Sequence, residues 1–184
     1  MTINLLTTED NVKMIAVLDD NIAGNYLRAA IMEAQEVWLR NIIGTTLLEA
    51  LKARAAAGTL DGAYATLVNE YAVFYLAYQT KAELLPKVAY KVGNAGVVKG
   101  QTEGYVAAGA DEIEAEVARA QAKADYHAHR MQLWLRANAS ALPELTQRDC
   151  DRINACLTSM SNCCGIWLGG PRGNERGDWD GCCD

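Results

Sequence analysis

Ile113-Glu114-Ala115-Glu116-Val117-Ala118-Arg119-Ala120-Gln121-Ala122-Lys123-Ala124-Asp125-Tyr126-His127-Ala128-His129-Arg130-Met131-Gln132-Leu133-Trp134 places Ile113, Val117, Ala120, Ala124, His127, Met131 and Trp134 at steps of four and three. Such steps return to one side of a 3.6-residue turn, so the stretch predicts an amphipathic α-helix. Asp111, Glu112 and Glu114 favour the positive end of its dipole, and the helix is expected to run to about Ala137. Ala115, Ala118, Ala122 and Ala128 raise its propensity and let neighbouring helices approach closely.

Upstream, Gly93, Gly96, Gly100, Gly104 and Gly109 punctuate Val97-Val98-Lys99 and predict a projecting loop or β-hairpin with a mobile tip over residues 93–109. Before it, Tyr64, Leu67, Tyr71, Phe74, Tyr78, Ala82 and Leu85 form a second helical stripe, expected to kink or stop at Pro86. Leu27, Ile31, Ala34, Trp38 and Ile42 form another, broken at Gly44. Thr45 or Thr46 is then placed to cap a shorter helix through Leu47, Leu48 and Leu51 to about Ala57. Val12 to Leu18 alternate loosely before Asp19-Asp20-Asn21 and are read as an extended arm or short strand.

Downstream of Pro143 the periodicity weakens. Residues 148–160 are expected to form a short last helix, followed by a Gly-rich tail in which Ile166-Trp167-Leu168 is an isolated apolar group. Three such residues cannot bury one another, so they must dock on the domain or on another chain. The fold class expected is therefore mainly α: a bundle of three to four long helices with a protruding Gly-rich loop or β-hairpin and an extended C-terminal tail. Its divisions are an arm over 1–20, a helical domain over 21–145 and a Cys- and Gly-rich tail over 146–184.

The 184 residues suffice for one core, and three prolines with a 51% apolar content argue against general disorder. Met1 to Asp10 lack the basic start and apolar run of a secretory signal, and no stretch approaches the length of a membrane span. A cytosolic site of synthesis and no membrane partner are expected. A net charge of -6 gives no overall pull toward nucleic-acid phosphates.

Chemistry is sparse. His127 lies on the apolar seam and is read as a packed core histidine, and His129 lies off it, exposed, so the two make no metal pair. Cys150, Cys156, Cys163, Cys164, Cys182 and Cys183 contain no C-x-x-C pair. Inert thiols are the preferred reading, with zinc and interchain disulfides open beside it. No Gly-x-Ser-x-Gly turn supports a nucleophile, and Gly96-Val97-Val98-Lys99-Gly100 lacks the Gly-Lys-Ser/Thr ending of a P-loop. Asp111, Glu112, Glu114 and Glu116 are accounted for by helix-dipole compensation. No catalytic, cofactor-binding or metal residue is assigned, and the chain is not expected to be an enzyme.

Ile31-Met32-Glu33-Ala34-Gln35-Glu36-Val37-Trp38-Leu39-Arg40-Asn41-Ile42-Ile43-Gly44-Thr45-Thr46-Leu47-Leu48 resembles the opening helices of head-tail connector (adaptor) proteins of tailed bacteriophages. The aromatic helix, Asn94-Ala95-Gly96-Val97-Val98, and the acidic helix ending in Leu133-Trp134-Leu135-Arg136-Ala137-Asn138 and Pro143-Glu144 are similar to proteins of crAss-like and other Bacteroidetes phages. The resemblance spans residues 21–145 and lies in the order of elements. It implies a virion protein of the phage neck, assembled in the host cytoplasm as a homo-oligomeric ring, commonly twelve-fold. Such a ring joins the portal protein to further neck or tail proteins, and DNA passes through it without specific binding. It also implies an assembly interface at Val97, Val98 and Lys99 in the loop, at Ile166, Trp167 and Leu168 in the tail, and at the 12–18 arm.

Another neck component, such as a stopper or tail-completion protein, and a non-virion helical interaction module remain alternatives. Trp38→Ala or Trp134→Ala is expected to cost about 3 to 5 kcal/mol if the ring is buried. Trp167→Ala is expected to spare the fold and weaken assembly.

Overall fold

A computed structural model of the chain describes residues 4–93, 96–99, 109–146 and 153–155. These are mainly helical, as the spacing predicts. Helix α1 (Glu9–Ala16) is followed by α2 (residues 24–43), α3 (Thr45–Ala57), α4 (residues 62–89), α5 (Ala110–Ala137) and a single turn, α6 (Pro143–Thr146). Between α4 and α5, β1 (Tyr90–Gly93) pairs antiparallel with β2 (Gly96–Lys99) in the register Tyr90↔Lys99 to Gly93↔Gly96. No helix among the described residues is long and apolar enough to cross a membrane.

Residues 12–18 do not form an extended arm. Thr8 Oγ1 accepts the Asn11 amide at 3.2 Å, Glu9 and Asp10 follow in the first turn, and residues 9–16 are helical. What looks like weak alternation is a two-turn helix that buries only Val12 and Ala16. With Leu27, Ala30, Ile31 and Leu84, Val12 forms a small core against which Leu5, Leu18 and Ile22 pack.

Both long helices before the hairpin contain a π turn, Ala34–Leu39 in α2 and Leu67–Ala72 in α4. A π turn inserts one residue, so the buried face advances by five once and then resumes steps of three and four. In α2 it runs Leu27, Ile31, Ala34, Leu39, Ile42, which leaves Trp38 only half-buried. In α4 it runs Leu67, Ala72, Leu76, Thr80, Leu84. The expected stripe Tyr71, Phe74 and Tyr78 is thereby rotated toward α5 and is half-buried. On α5 the buried seam is Ala120, Ala124, Ala128, Met131 and Leu135, with His127 and Trp134 half-buried beside it. The 3 to 5 kcal/mol expected for either tryptophan assumed full burial and is an overestimate.

Three local expectations also change. Helix α3 has Gly44 as its N-cap, and Thr45 is buried inside it without a side-chain cap bond. Helix α4 continues through Pro86 to Ala89. Pro86 sits in the last turn, where its missing N–H costs one ladder bond, and the neighbouring Lys87 ammonium pairs with Glu33 of α2 and with Glu83. Residues 153–155 have no regular structure where a last helix over 148–160 was expected, and the rest of that stretch lies outside the described residues.

The main core joins Leu39, Ile42, Ile43, Leu47, Leu48 and Leu51 of α2 and α3 to Leu67, Tyr75 and Leu76 of α4 and Met131 and Leu135 of α5. Tyr64 Oη donates to Glu144 Oε2 at 2.7 Å, and the Arg54 guanidinium lies 3.9 Å from the Tyr64 ring centre. These contacts tie α6 and α3 to the start of α4. Burial, reinforced by the Glu144 carboxylate, pushes the Tyr64 phenol up.

Candidate functional site

The break between α2 and α3 receives a distant segment. Gly44 adopts φ +82°, a region that disfavours side chains, and a Cβ there would stand 2.7 Å from the Ala155 amide nitrogen. The Thr45 amide has no intrahelical acceptor and donates to the Ile153 carbonyl at 2.7 Å. The bare Gly44 backbone thus seats residues 153–155 on the start of α3.

Nine residues before Gly44, the α2 π turn presents Gln35 inward, fully buried. Its Oε1 accepts the Leu6 amide at 2.8 Å, while Nε2 donates to the Asn4 carbonyl at 3.1 Å and to Glu36 Oε1 at 3.0 Å. Glu36 in turn accepts from Lys52 at 2.7 Å and pairs with Arg40. Burial pushes the Glu36 carboxyl up, but hydrogen bonds from Lys52, Gln35 and Arg40, with the Lys52 charge, outweigh it and hold the group at about 2. This cluster links the N-terminal segment, α2 and α3.

The groove between α4 and α5 is lined with rings and cations. Tyr71 stacks on Trp134 at 5.2 Å, and His127 stacks on Phe74 and on Tyr78, each at 5.5 Å. Lys123 Nζ lies 5.1 Å from the Tyr78 ring centre and the Arg130 guanidinium 5.6 Å from that of Tyr71. Desolvation, with the nearby Arg130 charge, pushes His127 down. At one end is a recess of about 330 Å³ lined by Tyr78, Lys81, Glu116, Arg119, Ala120, Ala122 and Lys123. On the outside of α5, Tyr126 is 62% and Leu133 50% exposed, seven residues apart and so on one side of the helix.

A further exposed apolar group lies at the end of α1. Met14 is 72% and Val17 83% exposed, beside Asp10, Lys13, Leu18 and Asp20 around a shallow hollow of about 360 Å³. Val17 adopts φ +52°, ψ +67°, the one non-glycine with positive φ among the described residues, and its amide bonds the Lys13 carbonyl. A β-branched residue is strained there, and nothing in the local packing requires its side chain, which stands in solvent.

Of the expected interface residues, Val97, Val98 and Lys99 are placed in β2, opposite Val92, Lys91 and Tyr90. Ile166, Trp167 and Leu168 lie outside the described residues, as do all six cysteines. His127 is packed among rings, half-buried at a helix interface, and His129 is exposed. Gln35, Gly44 as a seat, and residues 153–155 carry no signal in the sequence because their partners are far away along the chain. The basic stripe had one: Arg119, Lys123, His127 and Arg130 recur at four, four and three on α5.

Among the described residues no group of three or more His, Cys, Asp and Glu side chains is placed to hold a metal ion. No curated protein and no solved structure matches the chain. Residues 39–154 match a sequence family described as a family of unknown function, DUF6712. That span begins where the α2 π turn ends, contains α3, α4 and α5, and closes on the segment seated against Gly44. It covers more than half of the 184 residues, and the chain belongs to the DUF6712 family.

Proposed function

We propose that this protein is a structural, non-catalytic virion subunit that closes into a ring in the neck of a tailed phage, between portal and tail and around the DNA channel. The observation that carries the assembly part is the large apolar side chains left in solvent on two helices that each pack one face on the core. Met14 and Val17 stand out from α1, and Tyr126 and Leu133 from α5. Large apolar groups clustered in solvent favour coverage by another protein surface. The phage setting rests on the resemblance of residues 31–48 to connector proteins and of the aromatic helix, residues 94–98 and the acidic helix through Glu144 to uncharacterised proteins of crAss-like and other Bacteroidetes phages. In this reading the 93–109 segment and the tail with Ile166, Trp167 and Leu168 engage neighbouring copies, and the helical bundle is the rigid body that they link.

The test is electron microscopy of the full chain, alone and mixed with the portal protein of the same phage. Closed rings, twelve-fold or of another order, that cap the portal are the expected result. Dispersed monomers that bind neither portal nor tail would remove the proposal.

A further inference from the structure

We propose that the groove between α4 and α5 binds the phosphate backbone of duplex DNA. The chain is acidic, at -6, yet charge on α5 is divided along its length. Asp111, Glu112, Glu114 and Glu116 occupy its first two turns. Beyond them Asp125 is the sole acid against Arg119, Lys123, Arg130 and Arg136. Arg119, Lys123 and Arg130 share a stripe of the helix. At 1.5 Å per residue they span about 16 Å. Lys81 joins them from α4, its ammonium held by the Ala16 carbonyl at 3.3 Å, on the wall of the 330 Å³ recess.

The counter-charge is small. Glu116 pairs with Arg119, and among the described residues neither Lys123 nor Arg130 has a carboxylate partner; both lie over rings instead. Glu83 of α4 is engaged by Lys87 and Gln79, Asp125 stands about a third of a turn round α5 from the Arg119–Lys123–Arg130 stripe, and Glu70 of α4 is an exposed carboxylate. Cations brought together along one stripe with fewer carboxylates repel one another, and a bound polyanion relieves that repulsion. A line about 16 Å long suits a row of phosphates, spaced roughly 3.4 Å along the axis per strand, better than a single phosphate. Tyr71 stacks on Trp134 and His127 on Phe74 and Tyr78, with Lys123 and Arg130 lying over Tyr78 and Tyr71, so the cations rather than the rings are the groups set to meet a polyanion. Recognition is therefore of the duplex backbone, by charge, without sequence readout.

This inference goes beyond the ring reading, since a single copy carries the whole groove. It is tested by fluorescence anisotropy of the full chain with a labelled 20-base-pair duplex across a salt series. Three phosphates neutralised by Arg119, Lys123 and Arg130 give an expected slope of log affinity against log salt of about -3. Lys123→Glu with Arg130→Glu should weaken binding at least about tenfold at low salt and move the slope toward about -1. Arg119→Glu, whose side chain lies outside the ring stacks, should lower the slope by about one while leaving the thermal midpoint unchanged.

Absence of salt-dependent binding by the wild-type chain would overturn the inference, as would wild-type affinity in the double variant. Sedimentation run in parallel covers the rival ligand. If the double variant dissociates oligomers and the wild-type chain ignores DNA, the groove's partner is an acidic face of a second copy, and the inference fails. Rings that persist by microscopy without DNA binding overturn this inference alone.

Discussion

Two residues with positive φ make opposite predictions. Gly44→Ala forces a side chain into the φ +82° conformation, at a cost of about 1 to 2 kcal/mol. It also drives a Cβ against the Ala155 backbone, which must move. A total loss of about 2 to 4 kcal/mol is expected, together with faster hydrogen exchange at the Thr45 amide as Ile153 lifts away. An unchanged exchange rate would mean that the seat is not needed to hold residues 153–155. Val17→Gly relieves left-handed strain and should stabilise the isolated subunit by about 1 kcal/mol in thermal or urea unfolding. It also removes an exposed apolar group, so oligomers should weaken as the monomer strengthens. If monomer and oligomer both strengthen, Val17 is not a contact. Gly44 was legible in the sequence as a helix break, because a glycine among periodic apolar residues interrupts the ladder. Its second role was not, since that depends on a residue more than a hundred positions away.

At the scale of elements, the Glu36 cluster fixes how α2, α3 and the N-terminal segment meet. The Glu36 carboxyl is held at about 2 in the folded chain against 4.5 as its ordinary value. A depressed folded value means that the unfolded chain takes up the proton first. The stabilisation is therefore full above about pH 4.5 and is lost as pH falls toward 2. With Glu36 mostly but not wholly buried, it amounts to about 2 to 3 kcal/mol. Glu36→Gln should lower stability at pH 7 by about 2 kcal/mol and flatten the fall in thermal midpoint between pH 4.5 and 2. A variant with the wild-type acid profile would assign the acid sensitivity to other carboxylates. The same element shows why part of the packing was unreadable. Helix α5 keeps regular steps of three and four, and its extent follows from spacing alone. Helices α2 and α4 each contain a π turn, and one inserted residue exchanges Trp38 for Leu39 and Tyr71 for Ala72 at the core. Gln35, four residues after Ile31, lies on the core side in either register, but its partners Leu6 and Asn4 are 29 and 31 residues away and leave no mark in the spacing. Short α1 misled for another reason: eight residues with two buried positions give too little periodicity to separate a helix from a strand.

Across the whole molecule, stability and assembly draw on different side chains, and this separation can be measured. Leu48, Leu76 and Met131 are fully buried, and Leu76→Ala should cost about 2 to 5 kcal/mol whatever the oligomeric state. Tyr126 and Leu133 have half or more of their surface in water, so Tyr126→Ser with Leu133→Ser removes little that folding of one copy requires. The thermal midpoint of the monomer should shift by no more than about 1 kcal/mol equivalent. Tyr126 touches His127 edge-on at 5.3 Å, which accounts for most of that shift. In the proposed ring the same two side chains lie in contacts repeated once per copy. A modest loss at each contact therefore multiplies around a closed circle, and mass photometry should show rings giving way to monomers at concentrations where wild-type rings persist. If rings survive the double change, α5 faces solvent in the assembly and the contacts lie with α1, the 93–109 segment or the tail. If the monomer itself unfolds, Tyr126 and Leu133 belong to the stability of one copy, and the separation between folding and assembly does not hold.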